Sequence, residues 1–80
     1  MRAKIHVTLK EGILDPQGVA VGNALQSMGY ASAEVRVGKY ITLDLPTDDK
    51  AAAAEMVEGV CSRILANPVI EEYDFELSSD

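Results

Sequence analysis

Eighty residues with a net charge of −6, one cysteine and one histidine leave few options. An intrachain disulfide and a Cys/His zinc site are excluded, so so small a core needs other support, and a subunit partner is the natural source. An acidic chain repels phosphate backbones, no apolar run reaches membrane-spanning length, and the start reads as a strand rather than a signal-peptide core; the expectation is one cytoplasmic domain, residues 1–80, without nucleic-acid or membrane partners.

Lys4 to Lys10, KIHVTLK, alternates strictly. Ile5, Val7 and Leu9 share one face, and Lys4, His6, Thr8 and Lys10 the other, which predicts a half-buried strand. In the following EGILDPQG, Asp15 suits an N-cap and Pro16 the first helical position. A helix is expected to run from there to near Gly29, a C′ residue, with Val21, Ala24, Leu25 and Met28 as its apolar stripe. Gly18, Gly22 and two valines make it intrinsically weak, so it should form only when packed on the sheet. The two glycines also allow another backbone to come close.

AEVRVGKYITLDL, residues 33–45, reads as a strand interrupted by Gly38. Val35, Val37, Ile41, Leu43 and Leu45 are odd-numbered, with Lys39 the exception, and Glu34, Arg36, Tyr40, Thr42 and Asp44 form the even set. A two-residue turn at Gly38-Lys39 would mix the faces, which a half-buried sheet resists. A continuous strand bent at Gly38 keeps them clean and is the preferred reading. A three-residue hairpin from Gly38 to Tyr40 also keeps them clean and stays open, although its preferred glycine position falls on Tyr40.

The clearest helix is PTDDKAAAAEMVEGVCSRILANP. Thr47 is expected to cap it, Asp48 and Asp49 suit its positive end, and Asn67-Pro68 stops it. Its predicted buried stripe is Ala53, Met56, Val57, Val60 and Ile64. The last strand, VIEEYDFEL, puts Tyr73, Phe75 and Leu77 on one face and Glu72, Asp74 and Glu76 on the other, and SSD is a tail. Charge is uneven: residues 46–80 carry nine acids against two bases. The basic polar face of the first strand should therefore lie beside the acidic face of the last. The order β-α-β(β)-α-β predicts an α+β two-layer sandwich, ferredoxin-like or close to it, with a mainly antiparallel sheet and two helices on one face.

No catalytic constellation stands out. GxGxxG, P-loop and GxSxG motifs are absent. His6 lacks a positioned partner in the sequence and reads as an exposed or structural histidine. Cys61, beside an apolar stripe, reads as buried and inert. The acids of the last strand are spread by alternation and read as a solvated face rather than a cation site. Asp15 is accounted for as a cap. From chemistry alone this is a small, acidic, self-associating domain without catalysis of its own.

VTLKEGILDPQGVAV, VRVGKYI and LANPVIEEY, in this order and at this chain length, together resemble the PurS family, the small subunit of phosphoribosylformylglycinamidine synthase. The resemblance covers nearly the whole chain; GYASAE and the four alanines opening the second helix depart from it. It implies a non-catalytic subunit bridging a large synthetase subunit and a glutaminase subunit in de novo purine biosynthesis. It also implies a homodimer or tetramer, with ATP and Mg used by the large subunit and no cofactor bound here. Under this resemblance Arg36 and Tyr40, bracketing the expected bend, become contact residues of the types that anchor interfaces. Gly38, Lys39 and Gln17, which the capped turn leaves unexplained, complete the expected subunit surface. The competing reading is a freestanding small-molecule-binding regulatory domain. An acylphosphatase-like hydrolase is discounted because the loop after the first strand has no arginine.

Overall fold

The computed structural model describes residues 1–30 and 34–79. Their elements are β1 (Arg2–Leu9), α1 (Pro16–Ser27), β2 (Lys39–Asp44), α2 (Lys50–Val60) and β3 (Glu71–Ser78), with a π turn, Cys61–Leu65, extending α2. The sheet order is β2-β1-β3, and both pairings are antiparallel. The α+β class read from the sequence holds. So does the pairing of the basic first strand with the acidic last one: Lys4 lies opposite Glu76, and His6 opposite Asp74.

The core is narrow. Ala3, Ile5 and Val7 alternate inward along β1 and are buried against Ala53 and Val57 of α2 and Cys61 of the π turn, with Leu45 and Ala66 closing the ends. Ile41, Leu43, Tyr73, Phe75 and Leu77 flank it from the outer strands. The Tyr73 hydroxyl donates to Glu58 Oε2 at 2.6 Å, tying β3 to α2.

The α2 stripe differs from its prediction. Ala53, Val57 and Cys61 are buried, whereas Met56 and Ile64 are exposed. For Ile64 the π turn is the reason: Ala66 N–H donates to Cys61 O, five residues back, so the wider turn brings Leu65 rather than Ile64 to the core. The cap also differs. Asp49, not Thr47, is the N-cap, its Oδ1 accepting from Ala51 N–H, while Thr47 Oγ1 accepts from Asp49 N–H and braces the entry.

Helix α1 forms as its end signals require. Asp15 is the N-cap, Pro16 opens the helix, and Gly29 sits at φ +90° beyond it. Gly29 N–H donates to Gln26 O and Tyr30 N–H to Leu25 O, a Schellman closure. Its apolar stripe, however, does not pack on the sheet. No α1 residue joins the core; Val21, Ala24 and Met28 are exposed, and Leu25 is half-buried. The molecule is accordingly extended, 49 × 28 × 14 Å, with a radius of gyration of 16.0 Å.

Neither arrangement expected around Gly38 forms. The ladder starts at Lys39, and residues 34–38 run outside it; Ala33, the first residue of the predicted strand, lies outside the described residues. A backbone donor that a longer strand would use is engaged elsewhere, and a carbonyl is turned to the helix. Val37 N–H donates to Asp15, and Val35 O lies against Gly18 at the start of α1.

Candidate interaction surface

The surface is built where the β1–α1 loop, segment 34–38 and the start of β2 converge. Asp15 is its hub. Its Oδ1 accepts from Gly18 N–H at 2.9 Å, the cap bond, and its Oδ2 accepts from Val37 N–H at 2.7 Å. The side chain is buried, yet these bonds, first that from Val37 and then that from Gly18, hold its carboxyl below the ordinary aspartate range; burial opposes them and the Arg36 charge assists. Gly18 is buried beneath Val35, where a Cβ would lie 2.1 Å from the Val35 carbonyl oxygen. The close approach anticipated for this glycine is therefore real.

Arg36 fixes the same junction from the other side. Its Nη1 donates to Ile13 O at 3.0 Å, and its Nη2 to Lys10 O at 3.1 Å and Leu9 O at 3.4 Å. The planar guanidinium thus ties off carbonyls at the end of β1 and in the loop that follows. Gly38 passes close to β1: a Cβ there would lie 2.7 Å from Val7 O and 3.1 Å from Thr8 Cγ2. Its φ is not positive, so the glycine serves close approach rather than a left-handed turn.

Lys39 and Tyr40 then diverge onto opposite faces of the sheet. Lys39 pairs with Val7 and so lies on the core side, where its Nζ is 3.7 Å from Glu71 Oε2. Tyr40 stacks on His6, ring centroids 5.1 Å apart and planes inclined at 26°, and remains 59% exposed. His6 Nδ1 in turn lies 3.1 Å from Asp74 Oδ1. A Tyr40–His6–Asp74 row thereby crosses all three strands on the polar face. Gln17, Gly38 and Lys39 line one shallow recess of about 240 Å³, floored by Val7, Leu9 and Val37. Of the five residues expected at a subunit surface, three share this recess, Tyr40 is on the reverse face, and Arg36 is engaged with backbone. A larger open cleft of about 540 Å³ separates the Val19–Asn23 side of α1 from Glu34, Val35 and Arg36.

Cys61 is buried and free, and burial, aided by the Glu58 charge, pushes its thiol up. Among the described residues, no group of three or more His, Cys, Asp or Glu side chains is placed to hold a metal ion, and no helix is long and apolar enough to cross a membrane. Sequence reasoning missed the second bond of Asp15 and the Arg36 tether. A cap explained Asp15 completely, and parity placed Arg36 on a strand it does not join.

Comparison with known proteins gives concordant matches. The family profile described as PurS, phosphoribosylformylglycinamidine (FGAM) synthase, matches residues 2–79. The phosphoribosylformylglycinamidine synthase subunit PurS of a Synechocystis species is 46% identical over 77 residues, covering 95% of this chain and 77% of the relative. The Bacillus subtilis PurS crystal structure superposes with a TM-score of 0.85 at 43% identity, covering 98% of each chain. A chain of the Thermotoga maritima PurLQS structure superposes with a TM-score of 0.85 at 32% identity, covering 94% of this chain and 93% of that one.

Proposed function

This chain belongs to the PurS family of phosphoribosylformylglycinamidine synthase subunits, and from that premise we propose that it is the non-catalytic small subunit that bridges an ATP-dependent synthetase subunit and a glutaminase subunit. The assembled enzyme converts formylglycinamide ribonucleotide, glutamine and ATP to formylglycinamidine ribonucleotide, a step of de novo purine biosynthesis in the cytoplasm. ATP and Mg are used by the large subunit, and this chain binds no cofactor.

The end-to-end likeness to the Thermotoga PurLQS chain carries the reading. The chemistry of the side chains agrees with it. The Cys61 thiol is buried and held protonated, and His6 lies half exposed on the polar face of the sheet between Tyr40 and Asp74, away from the recess. Neither is set up as a nucleophile or general base. The contact surface comprises Gln17, Gly38 and Lys39 at the recess and Tyr40 on the reverse face, with Arg36 holding the loop beneath them. The chain also associates with itself.

The test is reconstitution. The chain is mixed with the synthetase and glutaminase subunits of its own organism. Co-elution as one complex, with glutamine-dependent synthase activity that requires this chain, is the expected result. Full glutamine-dependent activity without it, and no co-elution, would refute the assignment.

A further inference from the structure

Residues 59–70 end α2 and turn the chain toward β3. They are the acid-free stretch of an acidic half: of these twelve residues only Arg63 is charged. Ile64 and Val69 are each 77% exposed and Ile70 37%. The turn that carries Val69 is nonetheless firmly held. Asn67 N–H donates to Glu71 Oε1 at 2.7 Å, and Val69 N–H to Asn67 Oδ1 at 3.0 Å. Asn67 O accepts from the N–H groups of Ile70 and Glu71, and Ile70 O from Lys10 N–H. Lys10 Nζ donates to Pro68 O at 2.7 Å. Among the described residues, the Val69 carbonyl is the one backbone group of residues 67–70 left without a protein partner. A turn so satisfied gives up few bonds to water when it is covered, and little conformational freedom. Its exposed valine can therefore be buried at small polar cost.

Charge selects the occupant. Arg63 is exposed and pairs with no acid among the described residues. The acids that flank the stretch are engaged within the chain: Glu58 accepts from the Tyr73 hydroxyl, and Glu71 from Asn67 N–H, with its other oxygen 3.7 Å from Lys39 Nζ. The turn is thus an apolar knob with Arg63 and Lys10 at its rim, opposed by Glu11, the residue after Lys10. A second copy does not suit it. A two-fold contact sets the same patch against itself, so cations would meet cations. Seating the knob on the acidic β3 of a copy would be head-to-tail, a contact that closes only as a ring and otherwise repeats as a filament. A protein of different sequence, with carboxylates around an apolar pocket, meets neither obstacle. Glu71 also joins the knob to the recess, because it holds Asn67 on one side and faces Lys39 on the other.

We propose that Val69, at the tip of this turn, with Ile64 and Arg63 on the π turn before it, is the anchor by which the chain docks on a partner subunit of different sequence that offers an apolar pocket rimmed by carboxylates. Valine supplies the buried contact, and Arg63 meets the rim. This rests on the reading that the chain bridges two other subunits, and it adds to the recess the apolar anchor that Gln17, Gly38 and Lys39 do not provide.

The test uses the full chain as wild type, Val69→Glu, Val69→Lys and Arg63→Glu, with the synthetase and glutaminase subunits of its own organism. Affinity for each subunit is measured separately, mass by sedimentation equilibrium, and protection of the buried Cys61 thiol reports whether the core is intact. Val69→Glu is expected to weaken capture of one of the two subunits about tenfold or more. Val69→Lys should lose less, because the rim attracts a cation, and Arg63→Glu should weaken capture of that same subunit. All three should keep the wild-type mass and a protected Cys61. A Val69→Glu chain captured like wild type by both subunits overturns this inference alone. Val69→Lys as weak as Val69→Glu overturns it too, since the rim is then not acidic, and so does a change of mass, since the knob then meets a copy. Should Val69→Glu lose Cys61 protection, Arg63→Glu, an exposed position outside the core, decides by the same criteria. A wild-type chain that neither subunit captures overturns both this inference and the functional assignment.

Discussion

The carboxylate of Asp15 joins two segments by accepting one hydrogen bond from its own helix, at Gly18 N–H, and one from Val37 N–H across the junction, at 2.9 and 2.7 Å. Both bonds need the charged form. The folded-state pKa therefore lies below the ordinary 3.8. The unfolded chain takes up its proton first as pH falls, so Asp15 contributes stability that is full above that ordinary value and is lost as pH drops through the folded pKa. Asp15→Asn is expected to lower the thermal midpoint at pH 7, and the difference from wild type should shrink toward pH 3. Thermal scans at several pH values check this; a gap between the two proteins that is unchanged between pH 7 and pH 3 would sink it.

The two crossings at glycine rank themselves. An alanine at 18 would place its Cβ 2.1 Å from Val35 O, and one at 38 would place it 2.7 Å from Val7 O. Both obstacles are backbone, which yields less readily than a side chain. Gly18→Ala should be destabilising by about 1–3 kcal/mol, with Gly38→Ala milder. Gly12→Ala tests a different cause, because its φ of +85° is strained for alanine although nothing crowds the site. Urea midpoints rank the three, and a Gly18→Ala protein as stable as wild type would remove the crossing from the account.

Much of this was legible in the sequence, for reasons that can be named. Strict alternation set the faces of β1 and β3, and charge on their polar faces predicted that they are neighbours. The Asp15-Pro16 and Gly29 signals fixed the ends of α1. What failed were inferences that treat pattern as location. Parity carried the strand back through Val35 and Val37, but parity does not reveal that Asp15 takes the Val37 N–H. The stripe of α2 was extended to Ile64 on a period of 3.6, and a π turn begins at Cys61. The period of the α1 stripe predicts packing on the sheet, yet no α1 residue joins the core, because the chain entering and leaving the helix is held by the Asp15 and Arg36 bonds rather than by apolar contact.

Cys61 should be silent in the assembly and audible in stability. It is fully buried beside Val57, and burial keeps its thiol protonated. Cys61→Ala is expected to be destabilising by about 1–2 kcal/mol and to leave complex formation intact. An aromatic disulfide reagent should react with the native thiol only as fast as the protein unfolds. Immediate stoichiometric labelling of folded protein would contradict the buried position.

Arg36 and Tyr40, four residues apart in the sequence, should separate in experiment. Arg36 donates to Ile13, Lys10 and Leu9 carbonyls, whereas Tyr40 stacks on His6 and is otherwise in solvent. Arg36→Ala leaves those carbonyls to water and frees the loop that enters α1, so it should lower the thermal midpoint, on the order of 1–3 kcal/mol. Arg36→Lys should recover little, because one ammonium does not reproduce the guanidinium fork. Tyr40→Ala removes one exposed ring contact, worth at most about 1 kcal/mol, and should leave the midpoint nearly unchanged. Its effect belongs to assembly: weaker capture of a partner subunit and lower glutamine-dependent synthase activity. Activity with added ammonia should fall less if the glutaminase is what Tyr40 helps to hold. Midpoint, capture and the two activities are measured for all three variants. An Arg36→Ala chain as stable as wild type would show the carbonyl contacts to be incidental, and a Tyr40→Ala chain with unimpaired capture and both activities would remove Tyr40 from the contact surface.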